Sequence, residues 1–330
     1  MTYDIYGIGS ALVDTEVEVS EAFLIEKNID KGVMTLVNER RQKDLLDALS
    51  SEDFPIVRKC GGSVCNSVVA ASNLGARTFF SGKVADDTDG ELFISDLRQS
   101  GVDFYSAGLN SGITGKCLVM VTKDAERTMN TFLGASETFS PTEIDRDALK
   151  KSEWFFVEGY LVTDKLRAKV VKEAVDFAKA NGVKIALSLS DPLVAKIYGG
   201  DLLNIIDDGI DLLFCNKDEA FCFTGMDDLE SAIEELRLIT KTFAITDGPN
   251  GSLTFNSESL VISKGLSVKA IDTNGAGDMF AGAFLYAITS GREYDWAAHF
   301  ANECASRVVA HFGPRLTLKD FSEIKTKFSI

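Results

Sequence analysis

Residues 272–284 read DTNGAGDMFAGAF and are the most informative stretch of this 330-residue chain. Small residues open a turn, and an apolar run with helical periodicity begins directly after it. The first amides of a helix have no partners inside the helix and lie at the positive end of its dipole. We therefore predict that this turn binds an anion through its backbone amides.

Asp278 lies in the first turn of the predicted helix. A carboxylate there repels an anion that it merely neighbours, so its presence calls for a function. Beside an incoming hydroxyl group, it could take the proton during phosphoryl transfer. A glycine-rich helix start with an acidic residue that complements the dipole is the alternative explanation.

The segments on either side of this stretch alternate between short apolar runs and helical periodicity. We predict strands at residues 3–9, 78–81, 154–157, 184–189, 211–214 and 243–246, and helices at residues 66–74, 166–180, 229–239 and 277–288. This alternation predicts an α/β fold: a doubly wound, mainly parallel sheet with helices on both faces.

Two segments interrupt the alternation. Residues 13–19 alternate apolar and polar with period two, residues 33–37 are rich in β-formers, and residues 116–122 and 127–133 predict a hairpin. Strands with one wet face favour a small antiparallel sheet outside the main layer. We predict a β lid of residues 13–38 and 113–135, and a large domain of residues 1–12, 39–112 and 136–330.

A second glycine-rich helix entrance contains Gly61, Gly62, Ser63 and Asn66. Paired glycines let a ligand approach the backbone, and an asparagine offers both a donor and an acceptor to a sugar hydroxyl. A tight turn with a helix cap explains the same residues equally well. Asp14, just past the first strand, could accept hydrogen bonds from vicinal hydroxyls or be an ordinary surface residue.

Two later strands end in polar residues, at the edge where α/β proteins bind ligands. Asn216 and Glu219 could hold hydrated Mg²⁺ at a triphosphate, and an N-capped helix accounts for them about as well. Thr246, Gly248 and Gly251 could lay backbone amides along a nucleotide, although a hairpin turn looks the same.

The composition excludes several classes of function. Thirty-four Lys and Arg against 50 Asp and Glu give a net charge of −16, so we expect no nucleic-acid or membrane partner. Six dispersed cysteines and the lack of an apolar run of about 20 residues predict a cytoplasmic protein. No P-loop and no nucleophile elbow occur, and Leu12 stands where a dinucleotide fingerprint starting at Gly7 needs its third glycine.

The chain resembles the ribokinase-like (pfkB) family of carbohydrate and nucleoside kinases over essentially its whole length. The signatures are Gly61-Gly62 followed by Asn66, and residues 272–278, of which the second is strongly specific. The resemblance implies a doubly wound α/β domain with a β lid, ATP as phosphate donor and Mg²⁺ as metal. It leaves open whether a monovalent cation such as K⁺ takes part, and whether the protein is a monomer or a homodimer.

The resemblance also implies roles for individual residues. On the acceptor side, it implies Asp278 as the catalytic base, the amides of Gly275, Ala276 and Gly277 as an anion hole, and Asp14, Gly62, Ser63 and Asn66 as the sugar-binding residues. On the nucleotide side, it implies Arg127 as a lid arginine reaching phosphate, Asn216 and Glu219 near Mg²⁺, and Thr246, Gly248, Gly251 and Asn302 as nucleotide contacts.

Within the family the chain is most similar to the adenosine kinases, through Asn274 and residues 159–161 and 188–193. This similarity implies phosphorylation of the 5′-hydroxyl of adenosine. The departures are Ser10, where these kinases often carry Asn, and the aliphatic Leu161 and Leu193, near positions where animal enzymes use Phe. Tyr160 and Met129 are candidate substitutes against the base, or core residues. A sugar kinase, an inosine or guanosine kinase and a non-catalytic nucleoside-binding regulator remain alternatives.

Overall fold

The computed structural model of the chain describes residues 1–50, 57–105 and 111–330. The strands in these ranges are β1 (Tyr3–Ile8), β2 (Leu12–Glu18), β3 (Met34–Leu36), β4 (Val57–Gly61), β5 (Thr78–Ser81), β6 (Val102–Tyr105), β7 (Gly115–Val121), β8 (Arg127–Phe132), β9 (Ser152–Glu158), β10 (Lys184–Ser188), β11 (Ile210–Asn216), β12 (Thr240–Thr246), β13 (Gly251–Phe255) and β14 (Leu260–Lys264).

The α-helices in the same ranges are α1 (Glu21–Glu26), α2 (Glu39–Ser50), α3 (Ser63–Leu74), α4 (Thr88–Gln99), α5 (Arg146–Leu149), α6 (Lys165–Ala180), α7 (Pro192–Ile197), α8 (Gly199–Ile206), α9 (Lys217–Thr224), α10 (Leu229–Ile239), α11 (Ala276–Thr289), α12 (Tyr294–Val308) and α13 (Leu318–Phe328). Short 3₁₀ helices lie at Gly134–Thr138, Pro141–Glu143, Gly159–Thr163 and Gly248–Asn250. In the described part of the chain, no helix is long and apolar enough to cross a membrane.

The large sheet has the strand order β14-β13-β12-β11-β10-β9-β1-β5-β6 within the described residues. Every pair from β6 to β12 is parallel, and β13 and β14 extend the sheet antiparallel at one edge. The predicted doubly wound, mainly parallel sheet with helices on both faces is therefore confirmed. The carboxyl ends of β1, β9, β10, β11 and β12 lie along one edge, where such sheets bind ligands.

The period-two geometry of each strand divides the core between the two faces. On β9, Trp154 and Phe156 pack on one side with the buried residues of α3, α11 and α12. Phe155 and Val157 pack on the other side with α6, α8 and α10. Strands covered on both faces explain the almost continuous apolar runs in the sequence.

The small sheet has the order β3-β8-β7-β2-β4 within the described residues. The predicted hairpin is present, as β7 pairs antiparallel with β8. The expectation of a purely antiparallel lid is wrong, because β2 pairs parallel with β7 and β3 pairs parallel with β8. A hairpin turn fixes the relative direction only of the two strands that it joins, and β2 and β3 come from a separate segment.

The polar face of β2 is buried rather than exposed to solvent. Val17 and Val19 pack against Phe23 and other apolar residues of the helices that cover the outer face. Asp14 and Glu16 lie on the opposite face and are 5% and 0% exposed. The alternation in the sequence therefore marks a strand with an apolar outer face and a polar inner face that is turned toward the edge of the large sheet.

The small sheet extends beyond the two segments that the sequence predicted for it. Strand β4 pairs with β2, and Leu45 and Leu49 of α2 belong to the apolar cluster on the outer face of the small sheet. The structure thus places both elements with the small sheet, although the sequence division assigned residues 39–112 to the large domain. Residues 51–56 and 106–110 of that range lie outside the described residues.

Gly7 and Gly9 in β1 and its exit are required by close packing. A Cβ atom on Gly7 would lie 2.6 Å from a methyl carbon of Val68, so this glycine lets α3 approach the sheet. A Cβ atom on Gly9 would lie 2.4 Å from the carboxylate of Glu158. The two glycines that suggest a dinucleotide fingerprint therefore make room for α3 and for the buried side chain of Glu158.

Candidate active site

Adjoining cavities follow the carboxyl edge of the large sheet in the described part of the chain. The lid pocket, beneath the small sheet, encloses about 700 Å³ including the space open to solvent. It is lined by Ser10, Leu12, Asp14, Met34, Leu36, Gly62, Ser63, Asn66, Cys117, Arg127, Met129, Thr131, Leu133, Glu158, Tyr160, Thr163, Ser190, Asn274 and Asp278.

A central cleft adjoins the lid pocket, and an outer pocket adjoins the central cleft. The central cleft is lined by residues that include Ser63, Arg127, Asn216, Glu219, Thr246, Gly275, Ala276, Gly277 and Asp278. The outer pocket is lined by residues that include Thr246, Gly248, Gly251, Val268, Ala276, Gly277, Phe280, Asn302, Ala305 and Val309. All the site residues predicted from the sequence line at least one of these cavities.

The turn before α11 has the geometry that the sequence predicts. Gly275 adopts the left-handed conformation with φ of 75° and caps the helix. A Cβ atom there would lie 2.3 Å from the carbonyl oxygen of Pro314, so only glycine fits. Within the described residues, the amides of Gly275, Gly277 and Asp278 donate to no protein group, whereas that of Ala276 donates to the Thr273 carbonyl at 3.3 Å. The turn therefore presents free amides to the central cleft.

Asp278 stands at the junction of the lid pocket and the central cleft. Its carboxylate accepts hydrogen bonds from Ser63 Oγ at 2.6 Å and from Asn66 Nδ2 at 2.9 Å. Burial raises the pKa of Asp278 above its usual range, while these two hydrogen bonds and the charges of Arg127 and Arg315 oppose the shift. A raised pKa brings a carboxylate closer to the value that suits a general base near neutral pH.

Asn66 is oriented by a residue that the sequence reasoning missed. Arg315 donates from Nε to Asn66 Oδ1 at 2.8 Å and pairs through its terminal nitrogen with Asp96. These contacts fix which end of the Asn66 amide faces Asp278. Arg315 lies in the loop between α12 and α13 and is separated from Asn66 by 249 residues, so only the tertiary fold reveals the contact.

Asp14 projects from β2 into the lid pocket. A Cβ atom on Gly61 would lie 2.1 Å from its carboxylate, so this glycine makes room for the acid. Burial, followed by the neighbouring charge of Glu16, raises the pKa of Asp14 well above its usual range. The carboxylate forms no hydrogen bond with another described residue, which leaves its oxygens available to a ligand.

Glu158 is a second site residue that the sequence reasoning missed. Its carboxylate accepts from the Ser10 amide at 3.0 Å and from the Val64 amide in the first turn of α3 at 3.1 Å. Burial raises its pKa to about 7. Gly62, the residue directly before α3, has φ of 97°. The pair Gly61 and Gly62 therefore allows the chain to turn into α3, and the first turn of this helix faces Glu158.

Arg127, at the start of β8, lines both the lid pocket and the central cleft. It donates from a terminal nitrogen to Asn274 Oδ1 at 3.3 Å. The Thr273 hydroxyl also donates to the carbonyl of Ala125 in the lid hairpin at 3.2 Å. The small sheet is thus hydrogen-bonded to the turn before α11 and covers the candidate site.

Asn216 and Glu219 form a capping box at the start of α9. The side chain of Asn216 accepts from the Glu219 amide at 2.8 Å, and the Glu219 carboxylate accepts from the Asn216 amide at 3.0 Å. Burial raises the pKa of Glu219 to about 7. The helix-cap explanation is therefore correct, and the same two residues also line the central cleft.

The donor set around this cleft fits a metal held chiefly by phosphate and water. Among the described residues, no group of three or more His, Cys, Asp or Glu side chains could hold a metal ion. Mg²⁺ commonly takes one or two carboxylates and completes its shell with substrate phosphates and water. Glu219 and Asn216 would hold such an ion, which would neutralise phosphate charge when bound.

The outer pocket is mostly apolar, and Asn302 is one of the polar residues that line it. Asn302 donates from Nδ2 to Ser252 Oγ and to the Ser263 carbonyl, both at 3.1 Å. Gly251 adopts φ of 101°, and a Cβ atom there would lie 2.1 Å from the Ser263 carbonyl oxygen. The lining gives a mainly apolar space suited to an aromatic base, next to free amides suited to phosphates.

The residues considered for contact with a base differ in where they lie. Tyr160 and Met129 line the lid pocket. Leu161 is fully buried in the core beside β9, and Leu193 is 44% exposed on the surface. Tyr160 and Met129, rather than the two leucines, are therefore placed to contact a ligand in the lid pocket.

Comparison with known proteins identifies the family. Residues 34–320 match the pfkB family carbohydrate kinase. The chain belongs to the pfkB family. Its curated relatives include a ribokinase from Haemophilus influenzae, 28% identical over 82% of this chain and 87% of the relative, and an adenosine kinase from Saccharomyces cerevisiae, 25% identical over 95% and 97%.

Solved structures agree with the family assignment. This pfkB chain resembles the adenosine kinase from Sinorhizobium meliloti with 33% identity and a TM-score of 0.91, covering 98% of this chain and 99% of the other. It also resembles a probable sugar kinase from Rhizobium etli with 29% identity and a TM-score of 0.93, covering 99% of each. The protein is a phosphotransferase, either adenosine kinase-like or a sugar kinase, and kinases of this family use ATP.

Proposed function

We propose that this pfkB protein transfers the γ-phosphoryl group of ATP to the 5′-hydroxyl of adenosine. The observation that carries the proposal is the division of the lid pocket into a polar end and an apolar wall. Asp14, Asn66 and Glu158 supply the polar end beside Asp278. This end matches the hydroxyl groups of a ribose, which need hydrogen-bond partners when they leave water.

The apolar wall of the lid pocket comes mainly from the small sheet. It contains Leu12, Met34, Leu36, Met129 and Leu133. A free sugar would leave this surface uncovered, whereas a purine base would bury it and gain roughly 25 cal/mol for each Å² removed from water. The wall supports a nucleoside acceptor, and the similarity to enzymes named adenosine kinase supports adenosine in particular.

The chemistry follows from the position of Asp278 between the two cavities. In the proposed reaction, its carboxylate takes the proton of the 5′-hydroxyl as the acceptor oxygen forms its bond to the γ-phosphorus. The bond from the γ-phosphorus to the bridging oxygen breaks, and ADP leaves. The free amides of Gly275 and Gly277 would stabilise the charge on the transferring group, and the lid would exclude water.

The nucleotide would lie along the central cleft and the outer pocket. Its phosphates would face the turn before α11 and Arg127, and its base would lie over the apolar lining near Asn302. Amides rather than a lysine cluster would then supply most of the positive field. This arrangement explains how a chain of net charge −16 binds a polyanion.

A sugar kinase is the second candidate. The ribokinase from Haemophilus influenzae and the probable sugar kinase from Rhizobium etli favour it. A sugar acceptor would form hydrogen bonds with Asp14, Asn66 and Glu158 in the same way. The apolar residues of the small sheet would then cover the sugar without contacting a base. An inosine or guanosine kinase would use the whole pocket but would need partners for a 6-oxo group.

A panel of acceptors with ATP and Mg²⁺ tests the proposal. The panel contains adenosine, inosine, guanosine, ribose and fructose, and each product is quantified by mass spectrometry. We expect kcat/KM for adenosine to exceed that of every other acceptor by about 100-fold or more, since both ends of the pocket contribute. A sugar as the preferred acceptor would contradict the assignment of adenosine while preserving the reaction.

A non-catalytic regulator would give a different result in the same panel. It would bind adenosine tightly in calorimetry and form no product with any acceptor. Asp278 argues against a regulator, because a carboxylate held between an acceptor pocket and a free anion site serves proton transfer and adds nothing to nucleoside binding.

A further inference from the structure

Glu16 lies at one end of a hydrogen-bond chain that joins the small sheet to the turn before α11. Its Oε1 accepts from Asn274 Nδ2 at 2.8 Å. Asn274 Oδ1 in turn accepts from Arg127 at 3.3 Å. The chain therefore runs from one lid strand, through the amide of the anion-binding turn, to the first residue of another lid strand.

The surroundings of Glu16 leave its carboxyl group few other partners. The residue is fully buried, and its Oε2 forms no hydrogen bond within the described residues. The charged groups that face it are Asp272 before α11, Lys59 on β4 and Asp14 on its own strand. A buried acid with one oxygen unpaired is costly to keep unless the bond that it does make has a function.

The asparagine amide is asymmetric, and Glu16 sets its orientation. An ionised carboxylate accepts hydrogen bonds and donates none, so the NH₂ group of Asn274 faces Glu16 and its oxygen faces Arg127. With the amide reversed, two oxygens would meet at Glu16, and the NH₂ group would face the guanidinium. One buried acceptor thus determines whether Arg127 is held or repelled.

We propose that Glu16 is a positioning residue which, by fixing the Asn274 amide, holds Arg127 over the junction of the lid pocket and the central cleft. The inference rests on the proposed phosphoryl transfer, in which Arg127 faces the phosphate. It adds a function for a residue that contacts neither substrate. Burial raises the pKa of Glu16 to about 7, and a neutral carboxyl group retains a carbonyl oxygen that can accept from the same amide.

Two substitutions of similar size separate this function from simple packing. Glu16→Gln retains an acceptor oxygen for Asn274, and Glu16→Leu fills the space without one. We expect Glu16→Leu to lower kcat/KM for ATP by about 10- to 100-fold, the effect of losing one hydrogen bond to a charged group. We expect Glu16→Gln to stay within about 3-fold of the wild type, and KM for the nucleoside to change little in both.

A double-mutant cycle with Arg127→Ala gives the decisive readout. If Glu16 acts through Arg127, Glu16→Leu should cause no further loss of kcat/KM in the Arg127→Ala background. Equal losses in Glu16→Gln and Glu16→Leu, or an undiminished Glu16→Leu effect without Arg127, would overturn the inference. Melting temperatures of all variants are measured in parallel to identify a folding defect.

If Glu16→Leu does not fold, a substitution of Asn274, the donor in the hydrogen bond to Glu16, provides the test instead. Asn274→Ala removes the amide itself and should give the same loss, again without addition in the Arg127→Ala background. A wild-type protein with turnover and an unaffected Asn274→Ala variant would refute the positioning function alone. A wild-type protein that phosphorylates no acceptor would refute the proposed function and this inference together.

Discussion

The two glycine-bounded helix entrances of the site, before α3 and before α11, differ in what faces their amides. Gly62 and Gly275 both adopt positive φ, 97° and 75° respectively. At α3 the Glu158 carboxylate accepts from the Val64 amide. At α11 the amides of Gly275 and Gly277 meet no protein acceptor among the described residues.

This difference shows how similar sequences serve two purposes. A helix entrance that already holds a protein carboxylate has its positive dipole end neutralised, and it favours neutral ligands such as sugar hydroxyls. An entrance whose amides are free of any protein carboxylate favours a phosphate. The α3 entrance is therefore suited to the acceptor and the α11 entrance to the transferring group, with Asp278 bonded to Ser63 and Asn66 between them.

The largest expected effect comes from Asp278→Asn. We expect kcat to fall by about 10²- to 10⁴-fold, because the amide cannot accept the hydroxyl proton. Affinity for an ATP analogue in calorimetry should remain close to that of the wild type, since the free amides are untouched. Near-normal turnover would remove Asp278 from the role of base and leave the α11 entrance as a binding element only.

Asp14→Ala should act on the acceptor side alone. We expect the acceptor KM to rise by about 10- to 100-fold through the loss of hydrogen bonds to a charged group. KM for ATP should stay unchanged, because Asp14 lines the lid pocket and not the central cleft. Steady-state kinetics with each substrate varied in turn checks the prediction, and an unaltered acceptor KM would contradict this placement of the ribose.

Glu158→Gln removes the internal anion from the α3 entrance. The Ser10 and Val64 amides donate to different oxygens of Glu158, and glutamine replaces one of these oxygens with an NH₂ group. We therefore expect the acceptor KM to rise by about 10-fold, the effect of one lost hydrogen bond. Inorganic phosphate should also become a stronger inhibitor with respect to the acceptor. Glu143→Gln is the matched control, since Glu143 is equally buried and caps a turn at Ser140 outside the lid pocket. Equal kinetic changes in both variants would contradict the comparison.

The smallest expected effect is on stability as a function of pH. Burial raises the pKa of Glu16, Glu158 and Glu219 to about 7, from an ordinary value of 4.5. A carboxyl group with a raised pKa in the folded state stabilises the fold below its unfolded pKa and loses that contribution as pH rises through the folded value. We therefore expect Tm to fall by roughly 2–4 °C or more between pH 5 and pH 8, as measured by calorimetry. A Tm that rises over this interval would show that these carboxyls are not destabilised by burial.

The fold was predictable wherever a strand is covered on both faces. Such strands, β9 for example, are apolar runs that need no tertiary knowledge to recognise. Strand β4 was missed because its sequence, VRKCG, is short and has neither an apolar run nor a clear period. The parallel pairing of β2 with β7 was missed because no turn joins the two strands.

The candidate site was predictable where residues adjacent in sequence form it. The turn at Gly275 and the residues Ser63 and Asn66 each follow a local pattern of glycines at a helix start. Glu158 contacts Val64, which lies 94 residues away in the sequence. Arg315 contacts Asn66, which lies 249 residues away. The one available signal was an acid directly after a buried strand at the carboxyl edge, which points to Glu158 but says nothing about its partner.

A crystal structure of the protein with adenosine and a non-hydrolysable ATP analogue tests the central claim most directly. The account predicts a γ-phosphate oxygen within about 3 Å of the Gly275 and Gly277 amides, and the 5′-oxygen at a similar distance from the Asp278 carboxylate. A γ-phosphate bound at the α3 entrance, or an adenosine whose 5′-oxygen points away from Asp278, would contradict it.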